Sequence, residues 1–189
     1  MNQVISVITE KNKWKEGKEL VVNNEYQKAI RIYQSVLKKE EHAFIYFEIG
    51  KCYFLLEKKE KANEFFEKGI SILEDEKAIE LADYFHVYVT LLVEQGSLDK
   101  AYEYSKRSVL IARNEFNLAT HATICFSLKW LDKAIPTLAY CELKAPKSKV
   151  IQRLITKNRL GIDEFWGVAE PEERKIKVIL GDFLDGSRL

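Results

Sequence analysis

The sequence predicts an all-α chain of stacked helical hairpins: a solenoid of about four helix-turn-helix units with a C-terminal capping helix. Three observations predict it. Gly50, Tyr53, Ala62, Phe66 and Gly69 repeat the relative spacing of Gly17, Leu20, Ala29, Tyr33 and Val36 upstream. Leu98-Asp99-Lys100-Ala101 returns, after the same interval, as Leu131-Asp132-Lys133-Ala134. Hydrophobic residues make up 47% and charged residues 31% of the chain, with only three prolines and eight glycines, which suits long helices joined by short turns.

Apolar spacing places the elements in order. Residues 1–9 read as a short apolar turn or helix. A first hairpin follows, 10–23 with 26–40. Its second helix aligns Ala29, Ile30, Tyr33, Val36 and Leu37 on one face. The next hairpins are expected at 42–56 with 59–74, at 77–95 with 98–113, and at 115–129 with 131–145. Gly96 suits a helix C-cap, and Pro146 stops the eighth helix. Pro136 is expected within the first turn or so, where its missing N–H does least harm. Lys149–Arg159 looks helical and closed by Gly161, 163–168 reads as a loop, and a last helix is expected over 171–185, opening on Glu170-Pro171-Glu172-Glu173.

The repeated residues have a packing reason. Gly inside a helix costs about 1 kcal/mol relative to Ala, so Gly17 and Gly50 at equivalent places imply close approach of a partner helix. Tyr26, Tyr33, Tyr53 and Phe66 are the aromatics that fill the space beside it.

This pattern resembles the tetratricopeptide repeat, a helix-turn-helix unit of about 34 residues. The resemblance covers roughly 10–146, as units at about 10–41, 43–74, 82–113 and 115–146, with 147–189 as a helical extension or cap. It implies a right-handed superhelical solenoid and a non-catalytic protein. The third and fourth units depart from the pattern: Val89 and Ala122 replace the first-helix glycine, and Ser105 and Leu138 the second-helix aromatic. The step from the second unit to the third, Ala62 to Ala101, is longer than the steps on either side of it.

In this family the first helices line a concave face where peptides dock. Carried over by position, that face presents Trp14, Lys18 and Val21, then Phe44, Phe47, Lys51 and Phe54. Further along come Asp83, His86, Thr90 and Val93, then Phe116, Thr123 and Phe126. The binding set implied is Trp14, Lys18, Phe44, Phe47, Lys51, Phe54, His86, Thr90, Thr123 and Phe126. One subfamily clamps a C-terminal carboxylate; the matching positions here are Trp14, Lys18, Glu48, Asp83 and Val87, and the two acids argue against that clamp. Bacterial peptide-signal receptors use repeats close to the longer step, but carry an N-terminal effector domain where this chain has only a short segment before its first repeat.

Other classes find little support. No Gly-rich phosphate loop, HExxH, GxSxG or DxDxDG motif occurs, so the chain is not read as an enzyme and no cofactor is expected. His42, His86 and His121 read as isolated structural histidines, and no metal site is expected. A net charge of +1 argues against bulk attraction to nucleic acid or a membrane surface. No apolar run is long enough to span a bilayer, and Met1–Glu10 lacks the basic start of a signal peptide. Cys52, Cys125 and Cys141 read as buried free thiols, which suits the cytoplasm.

The expected function is protein or peptide binding, as an adaptor or regulatory receptor. One alternative is a self-assembling, homo-oligomeric scaffold. Another is RNA binding through residues 144–159, where Lys144, Lys147, Lys149, Arg153, Lys157 and Arg159 occur without an acid.

Overall fold

A computed structural model describes residues 2–73 and 78–166. All regular structure among them is helical. The helices are α1 (Asn2–Val22), α2 (Tyr26–Leu37), α3 (Ala43–Leu55), α4 (Lys59–Ser71), α5 (Leu81–Glu94), α6 (Leu98–Ile111), α7 (Glu115–Ser127), α8 (Leu131–Lys144) and α9 (Lys149–Trp166). Each odd helix through α7 pairs with the helix that follows it, giving the four expected hairpins, and α9 packs on α8 and α7.

The departures lie at helix ends. Residues 1–9 form no separate turn, because α1 runs unbroken from Asn2 through the first repeat. Gly161 does not close α9, which continues to Trp166. A lone glycine costs about 1 kcal/mol, too little to end a helix that meets no proline. Pro136 sits in the second turn of α8 rather than the first. The helix expected over 171–185 lies outside the described residues.

The chain divides into two compact units, Met1–Lys77 and Ala78–Leu189, and the division falls within the longer repeat step. In the first unit, α2 buries Ala29, Ile30, Tyr33 and Val36, a single stripe. Helix α3 lies against both α2 and α4 and is correspondingly apolar around its circumference, burying Ile45, Phe47, Ile49, Cys52 and Tyr53. Three glycines admit aromatic rings: Gly17 meets Tyr33, Gly50 meets Phe66, and Gly69 meets Phe47.

The second unit fills the same positions differently. Val89 stands where the first two hairpins have glycine, and Ser105 where they have Tyr33 and Phe66; both are buried. The larger side chain has moved to the first helix and the smaller to the second, a near volume-conserving exchange of the kind cores tolerate. Ala122 and Leu138 share the volume more evenly, also buried. Helix α9 adds to this core. Ile151 is fully buried with Val109, Leu118, Leu138 and Cys141, and Leu154, Ile155 and Ile162 pack against them.

One device sets the turn inside all four hairpins. Asn24, Glu57, Gly96 and Lys129 have φ of 60°, 59°, 75° and 62°, and occupy equivalent positions in the four repeats. At each, two amides bond back into the ending helix. Asn24 N donates to Val21 O (3.0 Å) and Glu25 N to Leu20 O (2.8 Å). Glu57 N donates to Phe54 O (2.9 Å) and Lys58 N to Tyr53 O (2.9 Å). Gly96 and Ser97 repeat the pattern onto Val93 and Leu92, as do Lys129 and Trp130 onto Phe126 and Cys125. These are Schellman caps, which satisfy carbonyls that a helix end leaves open. Only one has the glycine that the left-handed conformation favours.

Candidate functional site

The first helix of each hairpin supplies the face on which the sequence places binding residues. In the first unit these residues largely pack among themselves. Lys18 is exposed and its Nζ lies 5.2 Å from the Trp14 ring centre, a cation–π distance. Trp14 in turn meets His42 edge-on, with ring centres 5.2 Å apart. Phe44, Lys51 and Phe54 are half-buried. Phe47 is a correction: it is fully buried, its ring against Phe66 and in the space over Gly69. A side chain so enclosed presents nothing to a ligand. Its position follows from α3 being covered on two sides.

The second unit has a cavity of about 410 Å³ between α5, α7 and α9. Thr90 and Val93 come from α5, Phe116, Thr120 and Thr123 from α7, and Val150, Arg153, Leu154 and Lys157 from α9. The structure thus brings together Thr90 and Thr123 of the expected binding set, with Val93 and Phe116 of the wider face. His86 stands at the margin, its Nδ1 3.4 Å from Thr120 Oγ1. Phe126 is not in this cavity; it packs on the core beneath. Phe116 is 63% exposed, an unusual position for a phenylalanine.

Helix α9 is the part of the cavity absent from the sequence expectation. Its signal is a register. Thr156 follows Thr123 at the interval by which Thr123 follows Thr90. Each hydroxyl donates to the carbonyl one helical turn back, on His86, Ala119 and Gln152. Helix α9 therefore stands to α7 in sequence register as α7 stands to α5. The basic stretch 144–159 is correspondingly divided. Lys144 belongs to α8 and lies over Tyr140, whereas Arg153 and Lys157 stand on α9 at the cavity.

A polar network lies inside the second unit, away from the cavity lining. Ser105 Oγ donates to Tyr102 O at 2.8 Å, so its hydrogen is committed. Its 2.8 Å contact with His121 Nδ1 must then be an N–H donated by the imidazole. That leaves the His121 Nε2 lone pair facing Cys125 Sγ at 3.8 Å. His121 and Cys125 are one helical turn apart, so His121 is not isolated, contrary to the expectation from sequence. Burial, with help from Lys133 and Lys106, pushes the His121 pKa down to about 4. Burial pushes the Cys125 thiol up to about 12. A neutral thiol beside a neutral imidazole is the reverse of the thiolate pairing that makes a cysteine nucleophilic. Tyr102 closes the network outward, with its hydroxyl 2.7 Å from Lys133 Nζ.

Four helical hairpins with one turn motif among the described residues define the class: an all-α helical-repeat solenoid. The fold is that of tetratricopeptide-repeat structures. The tetratricopeptide repeat family model matches residues 45–75, the α3/α4 hairpin. Among solved structures, the chain is similar to YrrB, described as a TPR protein with an unusual peptide-binding site. The TM-score is 0.67 at 19% identity, covering 98% of this chain and 94% of that one. It also matches TTC0263, a thermophilic TPR protein of Thermus thermophilus, with TM-score 0.43 at 16% identity over 80% of this chain and 99% of that one. Comparison with curated proteins gives no significant match. At these identities the likeness is one of fold. The fold class is that of protein–protein interaction repeats. No helix among the described residues is long and apolar enough to cross a membrane.

Proposed function

We propose that this chain is a non-catalytic adaptor or regulatory receptor that takes a peptide segment of a partner protein on the first helices of its second unit, α5 and α7, beside α9. The observation that carries this reading is the cavity between α5, α7 and α9. Its walls are mostly apolar, with threonines between, and Phe116 stands open at its edge. An apolar recess with a few polar groups is what a docking side chain uses, and an exposed aromatic is a typical anchor in such contacts. The peptide-binding site described for YrrB makes a peptide the ligand class to test first. The buried, protonated thiols and the neutral His121–Cys125 pair support a binding role over a catalytic one, and three free buried thiols suit a cytoplasmic protein.

The test is a random peptide library panned against the full chain and against Thr123→Trp. Thr123 is exposed at the cavity, so the indole fills the recess without entering the core. Recovered peptides should bind the wild-type chain and lose at least tenfold in affinity for Thr123→Trp. Equal binding to both would move the site elsewhere, and recovery of no peptide would remove the reading.

A further inference from the structure

We infer that the ligand of this cavity is an acidic partner segment: one large apolar side chain with carboxylates within a residue or two of it. This rests on the peptide-binding reading above and adds the ligand's charge and the place where it is read. Three observations carry it.

The first is where the cations stand. Arg153 and Lys157 line the apolar cavity, and the same two residues line an adjoining cavity of about 460 Å³ with Lys149, Gln152 and Thr156. An apolar recess thus opens onto a cationic shelf, and two side chains belong to both. A ligand that seats a side chain in the recess must lay its neighbouring residues along the shelf.

The second is the charge balance around the site. Among the described residues, Glu94 is the one carboxylate lining the first cavity, and none lines the second. Glu94 has an interaction of its own, and Glu115 is held by the Ser148 hydroxyl. Among the described residues, neither Arg153 nor Lys157 meets a carboxylate within ion-pair distance, and both are exposed.

The third is the position of these cations on their helix. Helix α9 opens with Lys149 and has no acid in its first turn. The N-terminal end of a helix favours negative charge. Lys149 stands in that first turn, so α9 stability gains nothing from its charge. An anion arriving at the shelf meets Lys149, Arg153 and Lys157 together.

The experiment measures fluorescence anisotropy of three labelled peptide series of equal length on the full chain. Each has a central Phe flanked by Glu, by Gln or by Lys. The wild-type chain should bind the Glu series at least tenfold tighter than the Gln series and the Lys series most weakly, and the Glu preference should shrink as salt rises. Arg153→Glu with Lys157→Glu should abolish the Glu preference, the Glu series losing at least tenfold more affinity than the Gln series. Both positions are exposed, and an unchanged melting curve verifies the fold. If the Glu and Gln series bind alike and the double variant changes nothing, the charge inference is overturned and the peptide reading stands. If no series binds, or binding is indifferent to Thr123→Trp, the peptide reading itself fails. A single-stranded RNA oligonucleotide that binds tighter than the Glu series overturns the inference in favour of nucleic acid. Light scattering that shows a dimer lost in the double variant overturns it in favour of self-association.

Discussion

Gly17 lies against the ring of Tyr33 with no room for a side chain: a Cβ on Gly17 would stand 2.7 Å from Tyr33 Cζ and nearer still to Cε1. Tyr33 is fully buried and cannot swing away. Gly17→Ala should therefore destabilise the chain by about 1–3 kcal/mol, overpacking outweighing the roughly 1 kcal/mol that alanine gains in helix propensity. Gly69→Ala should behave alike, since its Cβ would meet Phe47 at 2.5 Å. Gly50→Ala should cost less, its closest approach being 2.9 Å to Phe66. Urea unfolding ranks the three. A Gly17→Ala, Tyr33→Leu double variant that recovers most of the loss would assign the cost to this contact.

The same tyrosine carries a hydroxyl that has no hydrogen-bond partner. Burial, then Glu48 and Cys52, hold it strongly against ionising. A buried unpaired hydroxyl costs about 1–3 kcal/mol of desolvation. Tyr33→Phe should accordingly leave stability unchanged or raise it by about 1 kcal/mol. A loss of that size on thermal melting would mean that the hydroxyl is bonded in solution.

The left-handed turn residues give a prediction of opposite sign at equivalent positions. A residue with a Cβ is strained at φ near +60° by about 1 kcal/mol, and glycine is not. Glu57→Gly and Lys129→Gly should each stabilise by up to about 1 kcal/mol, raising Tm by about 2–4 °C in a chain of this size. Gly96→Ala should lower it by a similar amount, although open space surrounds that Cβ. Indifference at all three positions would show that the caps are not held in this conformation.

Acid should weaken the second unit through His121. Its pKa is about 4 when folded, against 6.5 for an ordinary histidine. Between those values the unfolded chain binds the proton and the folded chain does not, so stability falls as pH drops from 6.5 toward 4. The full loss is about 3 kcal/mol, present in part by about pH 5. Denaturant unfolding of the wild type and of His121→Leu from neutral to mildly acidic pH measures it. The variant starts less stable, having lost the Ser105 bond, but should show a flatter pH dependence. Parallel curves would remove His121 as the titrating group.

The hairpins are legible in the sequence because the glycine–aromatic spacing and the Leu-Asp-Lys-Ala pair each report a packing contact that repeats. Phe47 is misplaced by register alone, which assigns α3 one covered face, whereas α3 is sandwiched by helices on two. Helix α9 is legible as a helix, but its place at the cavity is not. The composition of 144–159 draws notice as charge, while the threonine register that ties Thr156 to Thr90 and Thr123 carries no charge at all. The His121–Cys125 spacing of one turn stands in the sequence. Its meaning needs Ser105, which a different helix brings alongside.

All three thiols of this chain are silent. Cys52, Cys125 and Cys141 are fully buried and pushed up to about 12. At neutral pH almost no thiolate exists for an alkylating dye to capture. A cysteine placed at an exposed position on α9 would therefore be the one reactive thiol in the native chain. Probes that report distance or environment could be attached there with the native cysteines left in place, and the arrival of a ligand followed directly.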